Sequence, residues 1–96
     1  VDDCTNTLNV LGAASAQATI QNFAFHPNPL TIKTGTTVTW TNTDPTTHTV
    51  TADDNSFNSG PIGPGGTFSH TFTTPGTVNY HCSIHPSMHG TVTVTS

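Results

Sequence analysis

Residues 37–42 read Thr37-Val38-Thr39-Trp40-Thr41-Asn42, and their pattern decides the fold. Apolar and Thr positions alternate with a period of two. That period sends Val38, Trp40 and Asn42 to one face of a pleated strand and Thr37, Thr39 and Thr41 to the other. Toward the N-terminus, Gly35 turns the chain, and Leu30 and Ile32 alternate with Thr31 and Lys33. Pro27 and Pro29 interrupt before that. Ile20, Phe23 and Phe25 indicate an earlier strand, and the change of face between Ile20 and Phe23 is expected to be a bulge. Toward the C-terminus, Asp44-Pro45 breaks the pattern, and His48 and Val50 restart it as a further strand. Residues 52–66 are a loop rich in Asp, Asn, Ser, Gly and Pro, which Phe57 and Ile62 should pin to the core. Phe68, His70 and Phe72 share a face, as do Val78, Tyr80 and Cys82, and then Val92 and Val94, with Pro75-Gly76 as a turn. Short strands at regular spacing with turn chemistry between them make an all-β sandwich or barrel with no helix longer than a turn. Trp40, Phe25, Phe68 and Phe72 are read as core.

Composition agrees. The chain has 96 residues, enough for one domain, placed at residues 16–96. A small, polar lead, residues 1–15, precedes it, with a short edge strand expected near Leu8–Leu11. Thr occupies 22 positions, while Glu and Arg are absent and Lys33 is the single base. Helix formers are therefore scarce and β-branched residues abundant. A net charge of -4 with one Lys cannot neutralise phosphates, which excludes nucleic acid as a partner and a polybasic membrane surface as a target. No run of about 18 apolar residues is present, so this segment does not insert into a membrane as a helix. The start at Val1 leaves open a removed signal or a membrane tether in a longer protein. Cys4 and Cys82, taken alone, read as a disulfide of an oxidising compartment.

The chemistry is concentrated in Tyr80-His81-Cys82-Ser83-Ile84-His85-Pro86-Ser87-Met88-His89-Gly90. Cys82, His85 and Met88 offer a thiolate, an imidazole and a thioether. That soft set suits copper. Magnesium and calcium want oxygen ligands, and structural zinc usually recruits more thiolates. A mononuclear electron-transfer copper site needs a second imidazole, and His48, just after a turn, is the best candidate. The bland reading is a buried Cys near a surface His, because free Cys packs as a small hydrophobe.

Two wider patterns carry a resemblance. Phe25-x-Pro27-x-x-Leu30-x-Ile32-x-x-Gly35-x-x-Val38-x-Trp40-x-Asn42-x-Asp44-x-x-x-His48-x-Val50 resembles the N-terminal half of plastocyanin-like cupredoxins. Gly76-Thr77-Val78-Asn79-Tyr80-His81-Cys82, the short ligand loop and Gly90-Thr91-Val92-Thr93-Val94 resemble the C-terminal half, with a loop length like that of amicyanin. The resemblance covers roughly residues 16–95. It implies a cupredoxin-like Greek-key β-sandwich of about seven to eight strands holding one type 1 copper. The family's ligands fall on His48, Cys82, His85 and Met88. It also implies that His81 points away from the metal and that electrons leave through His85, inside an apolar surface patch where a redox partner protein docks. Pro86, Ile62 and Pro64 are the expected patch members. With one Lys, docking should be mainly apolar and weakly salt-dependent. An extracytoplasmic place, periplasmic or at the cell surface, goes with this reading. Cys4 is then an unpaired thiol, its role open.

Three positions depart from the family pattern. Thr49 stands where an Asn usually ties the two ligand loops together, Ile84 stands where Pro is frequent, and His89 follows the axial Met. They motivate a second reading: a cupredoxin with an open or water-bound copper position that reacts with a small molecule such as nitric oxide. A third is a copper-free surface module, which the Thr content alone suggests. No nucleophile–base pair or carboxylate pair indicates an enzyme. His26, His70 and His89 are read as surface or hydrogen-bonded histidines.

Overall fold

The structure is a computed structural model that describes residues 14–96. Most of the expected lead, with Cys4 and the edge strand near Leu8–Leu11, lies outside the described residues. Alternation of apolar residues with Thr builds eight strands among the described residues. They are β1 (Ser15–Gln21), β2 (Ala24–His26), β3 (Leu30–Lys33), β4 (Thr36–Asn42), β5 (Thr51–Ala52), β6 (Thr67–Phe72), β7 (Gly76–His81) and β8 (His89–Thr95). One sheet has the order β2-β1-β4-β6 and the other β3-β8-β7-β5. β1 runs parallel to β4, and β3 parallel to β8; the remaining pairs are antiparallel. Every connection from β2 to β7 crosses between the sheets, so the two layers close on one core, as the all-β sandwich expectation required.

β4 shows why the quoted stretch matters. Its residues alternate between fully and partly buried, with Val38, Trp40 and Asn42 inside. Trp40 is the centre of the core. Its Nε1–H donates to the Tyr80 hydroxyl at 3.2 Å, joining the two sheets across the interior. Tyr80 also meets Trp40 and Phe25 edge to face, with ring centres 5.4 and 4.6 Å apart. Phe57, Phe68 and Phe72 surround the indole on its other sides. Each aromatic buries about 150–250 Å², worth about 4–6 kcal/mol at most by area. That is how a chain with few aliphatic residues sustains a core. Phe57 and Ile62 do anchor the long loop, as expected.

The threonines explain the outer faces. Thr37 bonds Thr71 at 2.7 Å and Thr39 bonds Ser69 at 2.8 Å across the β4–β6 pair. Their hydroxyls satisfy each other beside water, and their branched Cβ atoms suit the pleat.

Two local expectations are corrected. The change of face between Ile20 and Phe23 is a hairpin turn rather than a bulge. Gln21 pairs with Ala24, and Asn22 and Phe23 between them have φ of 56° and 57°. Two left-handed residues match the twist of the flanking strands, as short hairpins require. Residues 48–50 do not form a strand either. His48 makes only an isolated bridge to Ile62, and His48, Thr49 and Val50 are all buried. This segment is covered on both sides, so its alternation has no meaning there.

Tyr80 lies opposite Gly90 in the β7–β8 register. A Cβ on Gly90 would collide with the Tyr80 ring and its hydroxyl oxygen. The ring that holds the sheets together therefore lies flat against a glycine. Gly90→Ala should lower stability by about 3 kcal/mol or prevent folding. Gly63→Ala, where nothing lies within 4 Å of the added carbon, should stay within about 0.5 kcal/mol of the parent. Urea unfolding followed by Trp40 fluorescence measures both.

Candidate metal centre

Two connections meet at one end of the sandwich, residues 43–50 after β4 and residues 82–88 between β7 and β8. Neither has a regular hydrogen-bond ladder, so side chains must satisfy the backbone. Asn42 does this for the first. Its buried amide donates to the Thr46 and Ile62 carbonyls at 2.9 and 2.8 Å, and its oxygen accepts the Asp44 amide. This explains a polar residue on the inward face of β4. The second loop is tightened by its own backbone, with Cys82 N–H donating to Met88 O at 3.1 Å and Met88 N–H to His85 O at 2.9 Å. Thr49 ties the loops to each other. Its hydroxyl accepts the Ser83 amide at 2.7 Å and meets the Ser83 hydroxyl at 3.1 Å. The departure at Thr49 thus preserves the link for which the family usually employs Asn.

These supports bring His48, Cys82 and His85 together, their ligand atoms all within 4.8 Å of one another. Cys82 Sγ lies 3.8 Å from His48 Nδ1 and 3.7 Å from His85 Nδ1. Cys82 is free and fully buried, His48 is fully buried, and Met88, three residues after His85, is buried as well. His85 is half-buried and faces the rim. Burial pushes the Cys82 thiol up, but the Thr49 amide hydrogen bond at 3.3 Å, the two imidazoles and the His85 amide outweigh it. The thiol ends at about 6, so it is mainly thiolate at neutral pH.

Asp44 orients His48. Its Oδ2 lies 2.8 Å from His48 Nε2 inside the protein. A carboxylate only accepts, so Nε2–H is the donor in this contact, and Nδ1 is the ring atom turned toward the sulfur. Asp44 also accepts the Asn22 and Phe23 amides at 2.7 and 2.9 Å. The Phe23 amide, opposed by burial and helped by the Asn22 amide and His48, holds its carboxyl below the usual carboxylate range. Phe23 itself is half exposed and packs edge-on against both imidazoles.

Asp44 and Phe23 are the residues that sequence reasoning missed. The four-residue step from Asp44 to His48 was a usable signal, because an acid is rare in this chain. Phe23 had none: turn propensity favours Gly after Asn, and only the folded structure shows what the ring touches. Ile62 is corrected in the other direction. It is 4 % exposed and belongs to the core, so it cannot be a surface patch member; its backbone pairs with His48 while its side chain turns inward. Pro64 and Pro86 are exposed. His81 points outward, as expected, and pairs with Asp53 at 2.6 Å. His26 and His89 are exposed, and His70 stacks on Phe57, where desolvation lowers its pKa.

The donor set fits copper. A first-row metal about 2.3 Å from sulfur and about 2.0 Å from nitrogen, with an angle of about 120°, separates the two donors by about 3.7 Å. The sulfur–nitrogen distances of 3.8 and 3.7 Å match that spacing. One thiolate, two imidazoles and a nearby thioether are the donors of electron-transfer copper. In a Cys4→Ser background, the thiolate absorbance of the metal-free protein near 240 nm should titrate with a midpoint near about 6 instead of the ordinary 9.0. Because the folded value is the lower one, thiolate formation favours the metal-free fold fully above pH 9.0, and this contribution is lost as pH falls through about 6.

Comparison with known proteins gives the same answer from a separate direction. The model of the cupredoxin-like domain family matches residues 5–94. Amicyanin-alpha of Methylorubrum extorquens is 38% identical over 92 residues, covering 85% of this chain and 73% of the relative. Plastocyanin of Scenedesmus fuscus is 36% identical over 83 residues, covering 73% of this chain and 85% of the relative. Among solved structures, a purple cupredoxin from Nitrosopumilus maritimus superposes with a TM-score of 0.80 at 38% identity, covering 83% of this chain and 99% of its own. A mutant of amicyanin in the Cu(I) form superposes with a TM-score of 0.77 at 30% identity, covering 83% and 81%. The eight-strand sandwich, the buried thiolate between two imidazoles and these kinships agree, and the chain belongs to the cupredoxin family.

Proposed function

We propose that the chain is a one-electron carrier whose single copper ion would be held by His48, Cys82 and His85, with Met88 as a further donor. The observation that carries this reading is the buried triangle of one thiolate and two Nδ1 atoms. Copper bound to such donors supplies a Cu(I)/Cu(II) couple. The chain's own residues do the rest. Thr49 N–H stabilises the sulfur as an anion, and Asp44 keeps the His48 proton on Nε2. The loop bonds from Cys82 to Met88 and from Met88 to His85 hold three of the four donors in one short, stiff segment. Donors placed in advance rearrange little when the metal changes charge. Kinship with amicyanin and plastocyanin supports a carrier over an enzyme and a place outside the cytoplasm. The Thr49 departure, one motive for small-molecule chemistry, leaves the loop tie in place and so does not favour that alternative.

A redox partner would meet the rim at His85. The exposed apolar residues beside it are Phe23, Ile84 and Pro86; Phe23 replaces Ile62 in the expected patch. Lys33 is the only base in the whole chain, so attraction by charge has little to act on.

Adding cupric copper to the metal-free protein should produce an intense thiolate-to-copper band in the visible at one ion per chain, and Cys82→Ser should abolish it. A colourless wild-type protein would overturn the reading; a band that survives in Cys82→Ser would overturn the ligand assignment. Ile84→Lys should slow electron self-exchange about tenfold without moving the band, because it places a charge in an apolar contact. An unchanged rate would remove Ile84 from the docking surface.

A further inference from the structure

The three bonds of the Asp44 carboxylate serve two structures at once. Oδ1 accepts the Asn22 amide, and Oδ2 accepts both the Phe23 amide and His48 Nε2–H. The first two bonds hold a turn that its sequence does not favour. Asn visits the left-handed region readily, but Phe23 at φ 57° has a Cβ that opposes it. A Gly at position 23 would close the same hairpin without strain. The ring is therefore kept for what it touches. Its centre lies 5.1 Å from the His48 ring and 4.9 Å from the His85 ring, perpendicular to both. The two imidazoles are themselves 5.0 Å apart, so Phe23 spans them. Core packing does not account for a half-exposed ring. A docking role alone does not account for its contact with fully buried His48.

We propose that Asp44 and Phe23 form one clamp that positions both imidazoles of the metal centre. Asp44 orients His48 through Nε2 and, through the same carboxylate, holds the 22–23 turn that lays the Phe23 ring across His48 and His85. Both are positioning residues. The proposal rests on the copper reading for its purpose, while the clamp itself exists in the metal-free chain. Strain in the turn is what makes the arrangement testable, because glycine removes the strain and the ring together while leaving the carboxylate free to hold His48.

The test uses the full chain with Asp44→Ala, Phe23→Gly, Phe23→Tyr and the Asp44→Ala/Phe23→Gly double variant. Urea stability and imidazole ring N–H spectra are recorded on metal-free protein, and Cu(I) affinity is measured by competition with a chromophoric chelator. Asp44→Ala should lower the urea midpoint, erase the His48 Nε2–H signal and weaken Cu(I) binding about 10- to 100-fold. Phe23→Gly should keep the midpoint and the His48 signal yet lose the ring-to-imidazole contacts and weaken Cu(I) binding. Phe23→Tyr should restore binding. The double variant should regain the share of stability that the turn lost in Asp44→Ala, since a glycine turn needs no carboxylate, but neither the share lost with the His48 bond nor the affinity; it also carries the test if Asp44→Ala alone does not fold. The clamp is overturned if the His48 signal survives loss of the carboxylate, if the double variant is no more stable than Asp44→Ala, or if Asp44→Ala and Phe23→Gly each bind Cu(I) within about twofold of wild type. Absence of a visible copper band in the wild type would instead overturn the copper reading, and the metal-free measurements would still decide the clamp.

Discussion

An anionic sulfur with no solvent exposure is the constraint on which the rest of this molecule depends. A buried charge is costly unless donors replace the water it has lost. Cys82 emerges from β7 directly after the buried Tyr80 ring and His81, and is itself fully buried. The groups that reach it come from elsewhere in the chain: the Thr49 amide donates to it, and His48 and His85 each bring a ring nitrogen beside it. The sandwich must therefore deliver two separate loops to one point, and the crossing of connections between sheets achieves this.

Irregular loops are poor platforms unless their backbone groups are satisfied, and here individual side chains take over the work of a ladder. Asn42 fastens the first loop to the 62 region, Asp44 fastens the hairpin turn to His48, and Thr49 with Ser83 fastens one ligand loop to the other. Asn42, Asp44 and Thr49 each make two or more bonds. This is why they can be enclosed at little net cost, and why loops between strands can hold the site. Elsewhere polarity is cheap. The Thr and Ser hydroxyls on the outer face of β4 and β6 bond one another in the presence of water, and a chain with few charged side chains stays hydrated through them.

Phe23 shows where local rules give way to the site. A bulky residue in a left-handed turn contradicts turn propensity, and such contradictions tend to gather at functional positions. The compensation is visible: a carboxylate on two successive amides, and ring contacts to both imidazoles. The same residue is half exposed beside His85, so the positioning of the site and its apolar rim share one side chain.

Much of this was legible in the sequence. A period of two marks strands and their inward faces because pleating sends alternate side chains to opposite sides, and this held for Val38, Trp40, Tyr80, Val92 and Val94. As candidate donors, Cys82, His85 and Met88 stood out because they sit within one short loop, and His48 because its surroundings resemble a known family; the structure brings His48, Cys82 and His85 together. The rest depended on contacts between residues far apart in the chain. Asp44 reaches Asn22 across 22 positions, Thr49 reaches Ser83 across 34, and no local spacing announces either. Ile62 looked like a rim residue until the bridge to His48 turned its side chain inward, and residues 48–50 looked like a strand until burial on both sides removed the meaning of their alternation. The sequence by itself determined the sandwich and the chemical class of the donors, since backbone periodicity and ligand type are local properties. Only the tertiary structure decided which groups tune and hold those donors, since hydrogen bonds and ring contacts are chosen by distance in space.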